Sequence, residues 1–387
     1  MSKTSVYLDN AATTPVASEK MKPYFQEKYG NPSSSHDLGR QAQEAIKEAR
    51  QNVADFLSCL ADEIIFTGSA TESNNLAIRG VVEKYFNQHG KAHVITSAIE
   101  HSSVLEVCKD LQRKKIADIT YLKVSKEGLV DLTELKKEIK KNTALISLGY
   151  ANNEIGTIQS IAKTGQLVEE VRGENLYPLL HTDAVQAAGY LNCSVNELGV
   201  DLLTFNGHKI YGPKGVGILF LREGLLIDNL IQGGGQEKNR RSGTENVPAI
   251  VGLGQAVKMI KEEKKIQELR DQLKEGILKN ISETQLNGSD KDRLPNNVNV
   301  CFSGAEGESI VFALAEKGIY TSTASACASH SLKPSHVLLA IGKKPMEAHS
   351  SIRFSLGRQT TEEDVKYVLE VLPLAIERLR KISGGIQ

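Results

Sequence analysis

The sequence predicts an α/β protein with a mostly parallel sheet in a large domain, followed by a smaller α/β domain. Short apolar runs typical of strands alternate with longer amphipathic segments typical of helices, and this order favours a parallel sheet covered on both faces. After about residue 255 the pattern changes, and a long charged helical segment follows. A chain of 387 residues is long enough for two domains with a large core.

Periodicity predicts the elements of the large domain. Apolar residues at helical spacing predict a helix over 41–57, and a second helix is predicted over 71–86. Strands are predicted in the apolar runs at 63–66, 93–95, 119–122, 144–148, 178–180, 202–205 and 216–220.

The same reasoning applies to the C-terminal part of the chain. It predicts, in order, a helical stretch over 258–279, a strand over 297–302, a helix from residue 308, a strand over 352–355 and an amphipathic helix over 362–381. No internal repeat and no low-complexity segment interrupts this pattern.

Composition excludes several function classes. Lys plus Arg and Asp plus Glu number 47 each, so the net charge gives no overall attraction to nucleic acid or to a membrane. No apolar run approaches the roughly 18 residues of a membrane span, and we expect a cytoplasmic protein. The five cysteines are scattered, which argues against a disulfide framework. Cys327, His330 and His336 lack a second close pair of ligands, so no metal site is predicted.

Lys209 and Asp183 each follow a short apolar run that reads as a strand. The carboxyl ends of parallel strands meet at one edge of a sheet, where ligands bind. A lysine with a carboxylate partner is the pair that pyridoxal phosphate (PLP) requires, because the lysine forms a Schiff base and the aspartate keeps the ring nitrogen protonated. Each residue alone also fits an ordinary surface lysine or a helix-capping aspartate.

Four further positions have side chains suited to catalysis or anion binding. The segment 67–71 joins a strand to a helix and can bind an anion, although it also fits an ordinary helix cap. His101 ends a strand and can move protons near neutral pH. Arg353 can grip a carboxylate with its guanidinium. Cys327 lies in a small, polar segment, which favours a mobile loop with an accessible thiolate over a buried, inert cysteine.

Many short motifs along almost the whole chain resemble those of the NifS/IscS cysteine desulfurases, which belong to the class V PLP-dependent aminotransferases. The motifs occur in the order of that family and lie at 7–15, 30–34, 70–77, 100–101, 152–156, 204–215, 233–237, 241–246, 325–329 and 350–358. The resemblance implies the PLP-dependent transferase fold type I. It also implies an N-terminal segment, 1–14, packed on a small C-terminal domain, 256–387, that carries the catalytic cysteine loop, with a large PLP-binding domain, 15–255, between them.

The resemblance also implies a role for each candidate residue. Lys209 holds the cofactor, Asp183 contacts the ring nitrogen and His101 stacks on the ring. Asn153 and Gln186 contact the phenolic oxygen, and Asn153 also reaches the substrate, whose carboxylate binds Arg353. The phosphate is bound by Ala70, Thr71, Gln186, His208 and, from the second subunit of a homodimer, Thr244. Asn206 replaces the family's usual Ser or Thr, and Gly68-Ser69 reverses its usual order.

The implied activity is conversion of L-cysteine to L-alanine, with a persulfide formed on Cys327. Ser350 lies 23 positions after Cys327, which resembles the long-loop group, although Ala324 replaces a common Gly. The sulfur is expected to pass to an acceptor protein, either an iron–sulfur scaffold or a tRNA thiolation enzyme. The chain ends at Gln387, without the longer tail that scaffold-feeding relatives often carry. Selenocysteine lyase activity and a non-catalytic PLP-binding scaffold for sulfur-transfer partners are the alternatives.

Overall fold

The computed structural model describes residues 5–261, 264–323 and 333–384, and its central feature is a seven-stranded sheet. The strands of this sheet and of the other sheets are, in chain order, β1 (Val6–Tyr7), β2 (Ile64–Thr67), β3 (Ala92–Ser97), β4 (Ala117–Leu122), β5 (Thr143–Gly149), β6 (Leu179–Asp183), β7 (Leu202–Asn206), β8 (Gly217–Leu221), β9 (Thr284–Leu286), β10 (Asn297–Phe302), β11 (Ile319–Tyr320), β12 (Ser322–Thr323) and β13 (Ser351–Ser355). The seven-stranded sheet has the order β2-β8-β7-β6-β5-β3-β4.

Helices surround the sheets. The α-helices are α1 (Pro23–Gln26), α2 (Asp37–Leu57), α3 (Ala70–His89), α4 (Ser102–Arg113), α5 (Leu132–Glu138), α6 (Ile161–Arg172), α7 (Val195–Leu198), α8 (Val247–Lys258), α9 (Lys264–Asn280), α10 (Gly307–Ala315), α11 (His336–Ala340), α12 (Pro345–His349) and α13 (Glu362–Gly384). Short 3₁₀ helices span Ala61–Glu63, Gly207–Lys209 and Gln236–Asn239. None of these helices combines the length and the apolar character needed to cross a membrane.

The central sheet is mostly parallel, as the sequence predicts. Strands β4, β3, β5, β6 and β7 run parallel, whereas β8 is antiparallel to both β7 and β2. Consecutive apolar residues of one strand point to opposite faces, and they join two separate cores. In β5, Ile146 packs with the core that includes α2 and α8, and its neighbour Leu145 packs with the core that includes α3 and α4. A continuous apolar run is therefore required in each central strand.

The C-terminal region forms a second sheet, antiparallel, in the order β12-β13-β10-β9. Its apolar face packs on α9, α10 and α13, in a core that also contains Val6 and Leu8 from the N-terminal segment. Strand β1 pairs in parallel with β11. Residues 5–8 therefore pack with the C-terminal core, although they are distant from it in sequence.

One predicted helix boundary differs from the structure, and the predicted domain boundary, which stays a prediction, falls within a helix. The predicted helical stretch over 258–279 is helix α9, which begins at Lys264, and Lys258 instead ends α8. The predicted domain boundary at residue 255 lies inside α8, a helix packed between α2 and the large sheet. Helix α8 is unusually apolar and lacks a charged face, so the change in composition comes after the helix starts and does not mark its boundary.

Candidate active site

Four candidate residues meet at the carboxyl ends of neighbouring parallel strands. His101 follows β3, Asn153 follows β5, Asp183 ends β6, and Lys209 follows β7. All four line one cavity of about 350 Å³, a size within the roughly 300–1,000 Å³ common for ligand pockets. The same cavity is lined by Ala70, Thr71, Gln186, Asn206, His208 and Arg353.

Three sequence-predicted positions are not part of this cavity as described. Thr244 lines a different, smaller cavity, which it shares with Gly68 and Arg241. Cys327 and Ala324 lie outside the described residues. The expected roles of these three residues therefore remain predictions.

The amine of Lys209 is held by the N-terminal segment. Lys209 ends the short 3₁₀ helix after β7, and its Nζ donates hydrogen bonds to the carbonyl oxygens of Ala11 and Ala12, at 2.6 Å each. The Nε2 of Gln186 donates to the Ala11 carbonyl at 3.0 Å. Residues 11 and 12 thus form part of the cavity wall and fix the position of the lysine amine.

The carboxylate of Asp183 accepts hydrogen bonds on both oxygens. Its Oδ1 accepts from the backbone N–H of Val185 at 3.0 Å, and its Oδ2 accepts from Asn74 Nδ2 at 2.7 Å. A carboxylate oxygen can accept more than one hydrogen bond. Asp183 can therefore receive a further proton donor, such as a protonated heterocyclic nitrogen, from the cavity.

The start of helix α3 provides an anion site at one end of the cavity. Ser69 caps the helix by accepting from Glu72 N at 3.2 Å, and Ala70 and Thr71 open it. The first N–H groups and the positive end of the helix dipole favour a bound anion. A Cβ on Gly217 of β8 would lie 2.4 Å from the carbonyl carbon of Ser69, so glycine is required for β8 to pass this turn.

Two polar side chains, the half-buried His208 and the buried Asn206, lie beside the anion site. Burial, with the positive charges of Lys209 and Lys214, lowers the pKa of His208 to about 4, so the imidazole is neutral at physiological pH. Asn206 is 6% exposed, and no described group pairs with its Oδ1. A buried amide without a partner at this position is an observation that favours a polar ligand.

Arg353 on β13 lines the cavity and donates two hydrogen bonds to described residues. Its NH1 donates to the Asn153 carbonyl at 2.9 Å, and its NH2 donates to Asp9 Oδ1 at 2.8 Å. Its Nε is buried, and nothing in the described part of the chain accepts from it. Because Arg353 lines the cavity and has N–H groups beyond the two described bonds, it can bind the carboxylate of a small ligand.

Two buried glutamates beside the site have no counterpart among the sequence-predicted roles. Burial raises the pKa of both Glu100 and Glu154 to about 7. Glu100 accepts from Ser97 and from the Gly149 N–H, and Glu154 accepts from Ser335. They directly neighbour His101 and Asn153 in sequence, but no local pattern indicates that these two carboxyl groups are buried.

Four of the five cysteines are poor candidates for a nucleophile. Burial raises the thiol pKa to about 12 in Cys59, Cys108 and Cys193, and it also raises the pKa of Cys301. None of these four thiols lines the cavity. Within the described ranges, no cluster of three or more His, Cys, Asp or Glu side chains is placed to hold a metal ion.

Comparisons with known proteins agree with this geometry. The model of the family Aminotransferase class-V matches residues 6–368. A cysteine desulfurase IscS from Dictyoglomus turgidum is 50% identical over 389 aligned positions, covering 98% of this chain and 97% of that relative. The structure of a NifS-like protein matches with a TM-score of 0.87 and 37% identity, covering 99% of this chain and 100% of that one. A structure of SspA in complex with cysteine matches with a TM-score of 0.81 and 39% identity, covering 91% and 99%.

Proposed function

The chain belongs to the aminotransferase class-V family and, within it, to the IscS cysteine desulfurases, and we propose that it is a PLP-dependent cysteine desulfurase. Its mostly parallel α/β sheet is that of PLP-dependent fold type I, as the sequence predicts. The enzyme converts L-cysteine to L-alanine and retains the sulfur as a persulfide on Cys327. The observation that supports this proposal most directly is the convergence of Lys209, Asp183, His101 and Arg353 on one cavity.

The polar groups around the cavity fit PLP. Lys209 supplies an amine for the aldehyde, Asp183 supplies an acceptor for the ring nitrogen, and His101 lines the cavity between them. The N–H groups at the start of α3 suit the phosphate, together with His208 and the amide nitrogen of Asn206, which can donate to it. When bound, PLP withdraws electrons from the α-carbon of an amino-acid substrate through its protonated ring.

The side chains of the chain itself carry the remaining steps. Arg353 would bind the substrate carboxylate, and the amine of Lys209 would remove the α-proton. The thiolate of Cys327 attacks the substrate sulfur, so that an S–S bond forms as the substrate C–S bond breaks. The carbon that loses sulfur gains a proton, the α-carbon regains the proton that Lys209 removed, and alanine leaves. Asn153 fixes Arg353 through its carbonyl group, and its side chain lines the cavity on the substrate side.

The persulfide sulfur is then transferred to an acceptor protein. Both an iron–sulfur scaffold and a tRNA thiolation enzyme suit a persulfide donor, and a transfer assay with each acceptor decides between them. We further propose that the enzyme is a homodimer, in which Thr244 of each subunit contacts the phosphate in the site of the other. This assignment fits the position of Thr244 outside the cavity that contains its own Lys209.

Alanine formation from L-cysteine by the PLP-loaded protein tests the function. Borohydride reduction should fix PLP on Lys209, and Lys209→Ala should abolish both the fixed cofactor and alanine release. Lys137→Ala, which changes an exposed lysine paired with Glu134, is the matched control and should retain both. Cofactor fixed on another lysine would contradict the assignment, and faster turnover of L-selenocysteine than of L-cysteine would favour a selenocysteine lyase.

A further inference from the structure

The buried side chain of Asn74 joins two residues of the active site. Asn74 lies on α3 and is 0% exposed. Its Nδ2 is 2.7 Å from Asp183 Oδ2 and 2.8 Å from Ser103 Oγ. One amide group therefore contacts the carboxylate of Asp183 directly and reaches His101 through Ser103.

The chemistry of the neighbours determines the orientation of this amide. The amide nitrogen of Asn74 faces Asp183 Oδ2, a group that can accept its hydrogen bond. The reversed amide would place two acceptor oxygens against each other. In the chosen orientation Asn74 Oδ1 is buried, and no described group pairs with it. A buried acceptor without a partner is unfavourable, which indicates that this position requires the two N–H donors and not simply a side chain of this size.

The second branch of the network determines which ring nitrogen of His101 carries the proton. The backbone N–H of Ser103 donates to His101 Nδ1 at 3.1 Å, so Nδ1 is an acceptor without a proton. The hydroxyl of Ser103 lies 2.8 Å from the same Nδ1. Because this hydroxyl already accepts from Asn74, its own hydrogen is directed to Nδ1. The neutral imidazole then carries its proton on Nε2.

We propose that Asn74 is a positioning residue that holds Asp183 as an oriented acceptor and, through the Ser103 hydroxyl, strengthens the tautomer of His101 that the Ser103 backbone N–H already favours. The assignment of Asp183 and His101 to the cofactor rests on the proposed function, whereas the hydrogen-bond network does not. A single amide thereby orients the partner of the ring nitrogen and reinforces the proton position of the histidine. Arg353 lies outside this network, so substrate carboxylate binding is independent of it.

Two variants separate the branches. Asn74→Leu removes both donors with little change in size, and Ser103→Ala removes only the hydroxyl that reaches His101, whereas Ser103→Thr retains a hydroxyl. Asn287→Leu is the matched control. Asn287 is also buried, donates to Asn299 Oδ1 and Ser351 Oγ at 2.8 and 3.0 Å, and has an unpartnered Oδ1 within the described structure.

Two measurements report on the two branches. ¹⁵N NMR of the cofactor-free, histidine-labelled protein gives the tautomer of His101, with His101→Gln used to assign the signal. Titration with PLP gives the dissociation constant. Neither readout requires turnover, and the first does not require the cofactor.

The proposal predicts a distinct result for each variant. In the unaltered protein Nδ1 should be unprotonated. Ser103→Ala should shift part of the population to the other tautomer and change PLP affinity by less than about twofold. Asn74→Leu should cause the same shift and also weaken PLP binding roughly tenfold, the size expected for a lost hydrogen bond to a charged group. Ser103→Thr and Asn287→Leu should change neither readout, although Asn287→Leu should lower the melting temperature.

Unchanged tautomer and unchanged PLP affinity in folded Asn74→Leu would overturn the proposal. If that variant does not fold, an unchanged His101 signal in Ser103→Ala would overturn it. If the unaltered protein binds no PLP but Ser103→Ala shifts the tautomer, the network is supported and the proposed function fails. Failure of the proposal for Asn74 and failure of the proposed function therefore give different results.

Discussion

Arg353 is the residue whose surroundings most clearly indicate a binding site for a ligand. It is 3% exposed, and its charge is balanced by Asp9 from the N-terminal segment. A buried arginine without a counter-charge would be strongly unfavourable. Asp9 and Asn153 each accept from one terminal nitrogen of the guanidinium, so further N–H groups of Arg353 remain for the substrate carboxylate.

Replacement of Asp9 should therefore weaken substrate binding through Arg353. We expect Asp9→Ala to raise KM for L-cysteine about tenfold, or ~1.4 kcal/mol, because the guanidinium loses the contact that orients it. Asp9→Asn retains an acceptor oxygen and should stay within about threefold of the unaltered protein. Steady-state kinetics measures both variants, and binding of cysteamine, which lacks a carboxylate, is the control. Equal KM values for the two variants would contradict an orienting role.

Cys327 is the residue on which sulfur transfer depends. Cys327→Ser should retain PLP, because the residues proposed to hold the cofactor are elsewhere, but alanine release should fall by roughly a thousandfold, since a hydroxyl cannot form a persulfide. Mass spectrometry after incubation with L-cysteine should place one additional sulfur on the peptide containing Cys327. Cys59→Ser, which changes a half-buried thiol with a raised pKa, should retain activity. An added sulfur on any of the other four cysteines would contradict this mechanism.

The sequence predicts which residues carry the chemistry better than it predicts which residues position them. Lys209 and Asp183 could be selected because each follows a short apolar run and has the side chain that the cofactor requires. Asn74 lies within a motif that shows the resemblance, yet its contact with Asp183 spans 109 positions and is not visible locally. The burial of Glu100 and Glu154 depends on packing between distant segments, so no local pattern reveals it.

At the scale of elements, apolar periodicity predicted the central strands well because each must contribute to cores on both faces. It failed where the elements are short or partly exposed. Strands β9, β11 and β12 have two or three residues each and were not predicted. The antiparallel direction of β8 was also not predicted, since a strand buried on both faces has the same composition in either direction.

An ion pair between α2 and the segment after β8 stabilises an unusual backbone. Glu237, Lys238 and Asn239 have φ values of 46°, 56° and 62°, a left-handed run that is unfavourable for residues with a Cβ. Arg50 holds Glu237 through two hydrogen bonds of 2.7 and 2.8 Å, and the Phe66 N–H donates to the same carboxylate at 3.0 Å. This segment leads directly to the motif that contains Thr244.

Loss of the Glu237 charge should therefore destabilise the fold. We expect Glu237→Gln to lower the free energy of unfolding by about 3–5 kcal/mol, because Arg50 keeps a largely buried charge without its partner. Glu134→Gln breaks an exposed pair with Lys137 and should cost no more than about 1 kcal/mol. Chemical denaturation of both variants provides the comparison. Similar losses would show that the Arg50 contact contributes no more than a surface pair.

The buried Glu154 should make stability depend on pH in an identifiable range. Its pKa rises from 4.5 to about 7, chiefly through burial. Between these values the folded state retains a proton that the unfolded chain has lost, so stability decreases as the pH rises through this range. Glu154→Gln mimics the protonated form, and its stability relative to the unaltered protein should increase from pH ~5 to pH ~8, by on the order of 1–3 kcal/mol. Thermal unfolding at both pH values measures this change, and a relative stability that falls with pH would contradict it.

At the scale of the whole molecule, the N-terminal segment connects the two cores at the active site. Strand β1 and Leu8 belong to the C-terminal core, Asp9 pairs with Arg353, and the carbonyls of Ala11 and Ala12 hold Lys209. These contacts join residues more than 190 positions apart, which no periodic pattern in a single sequence can indicate. Only the resemblance to a family implied that this segment packs on the C-terminal region, and the boundaries at 14 and 255 remain predictions.

Mixed dimers test whether the active site is shared between two chains, as proposed for Thr244. Consider a dimer of one Lys209→Ala chain and one Thr244→Val chain. If Thr244 contacts the phosphate in the site of the other subunit, one site has both Lys209 and Thr244 intact. If Thr244 instead contacts the phosphate in the site of its own subunit, neither site is intact. We therefore expect each variant homodimer to be inactive or weak at limiting PLP, because a lost phosphate contact should reduce affinity by roughly tenfold. The mixed dimer, isolated with two different affinity tags, should regain about half of the alanine release of the unaltered protein.

A mixed dimer no more active than the Thr244→Val homodimer would show that Thr244 does not complete the neighbouring site, and an active, PLP-saturated monomer in sedimentation would exclude a shared site altogether.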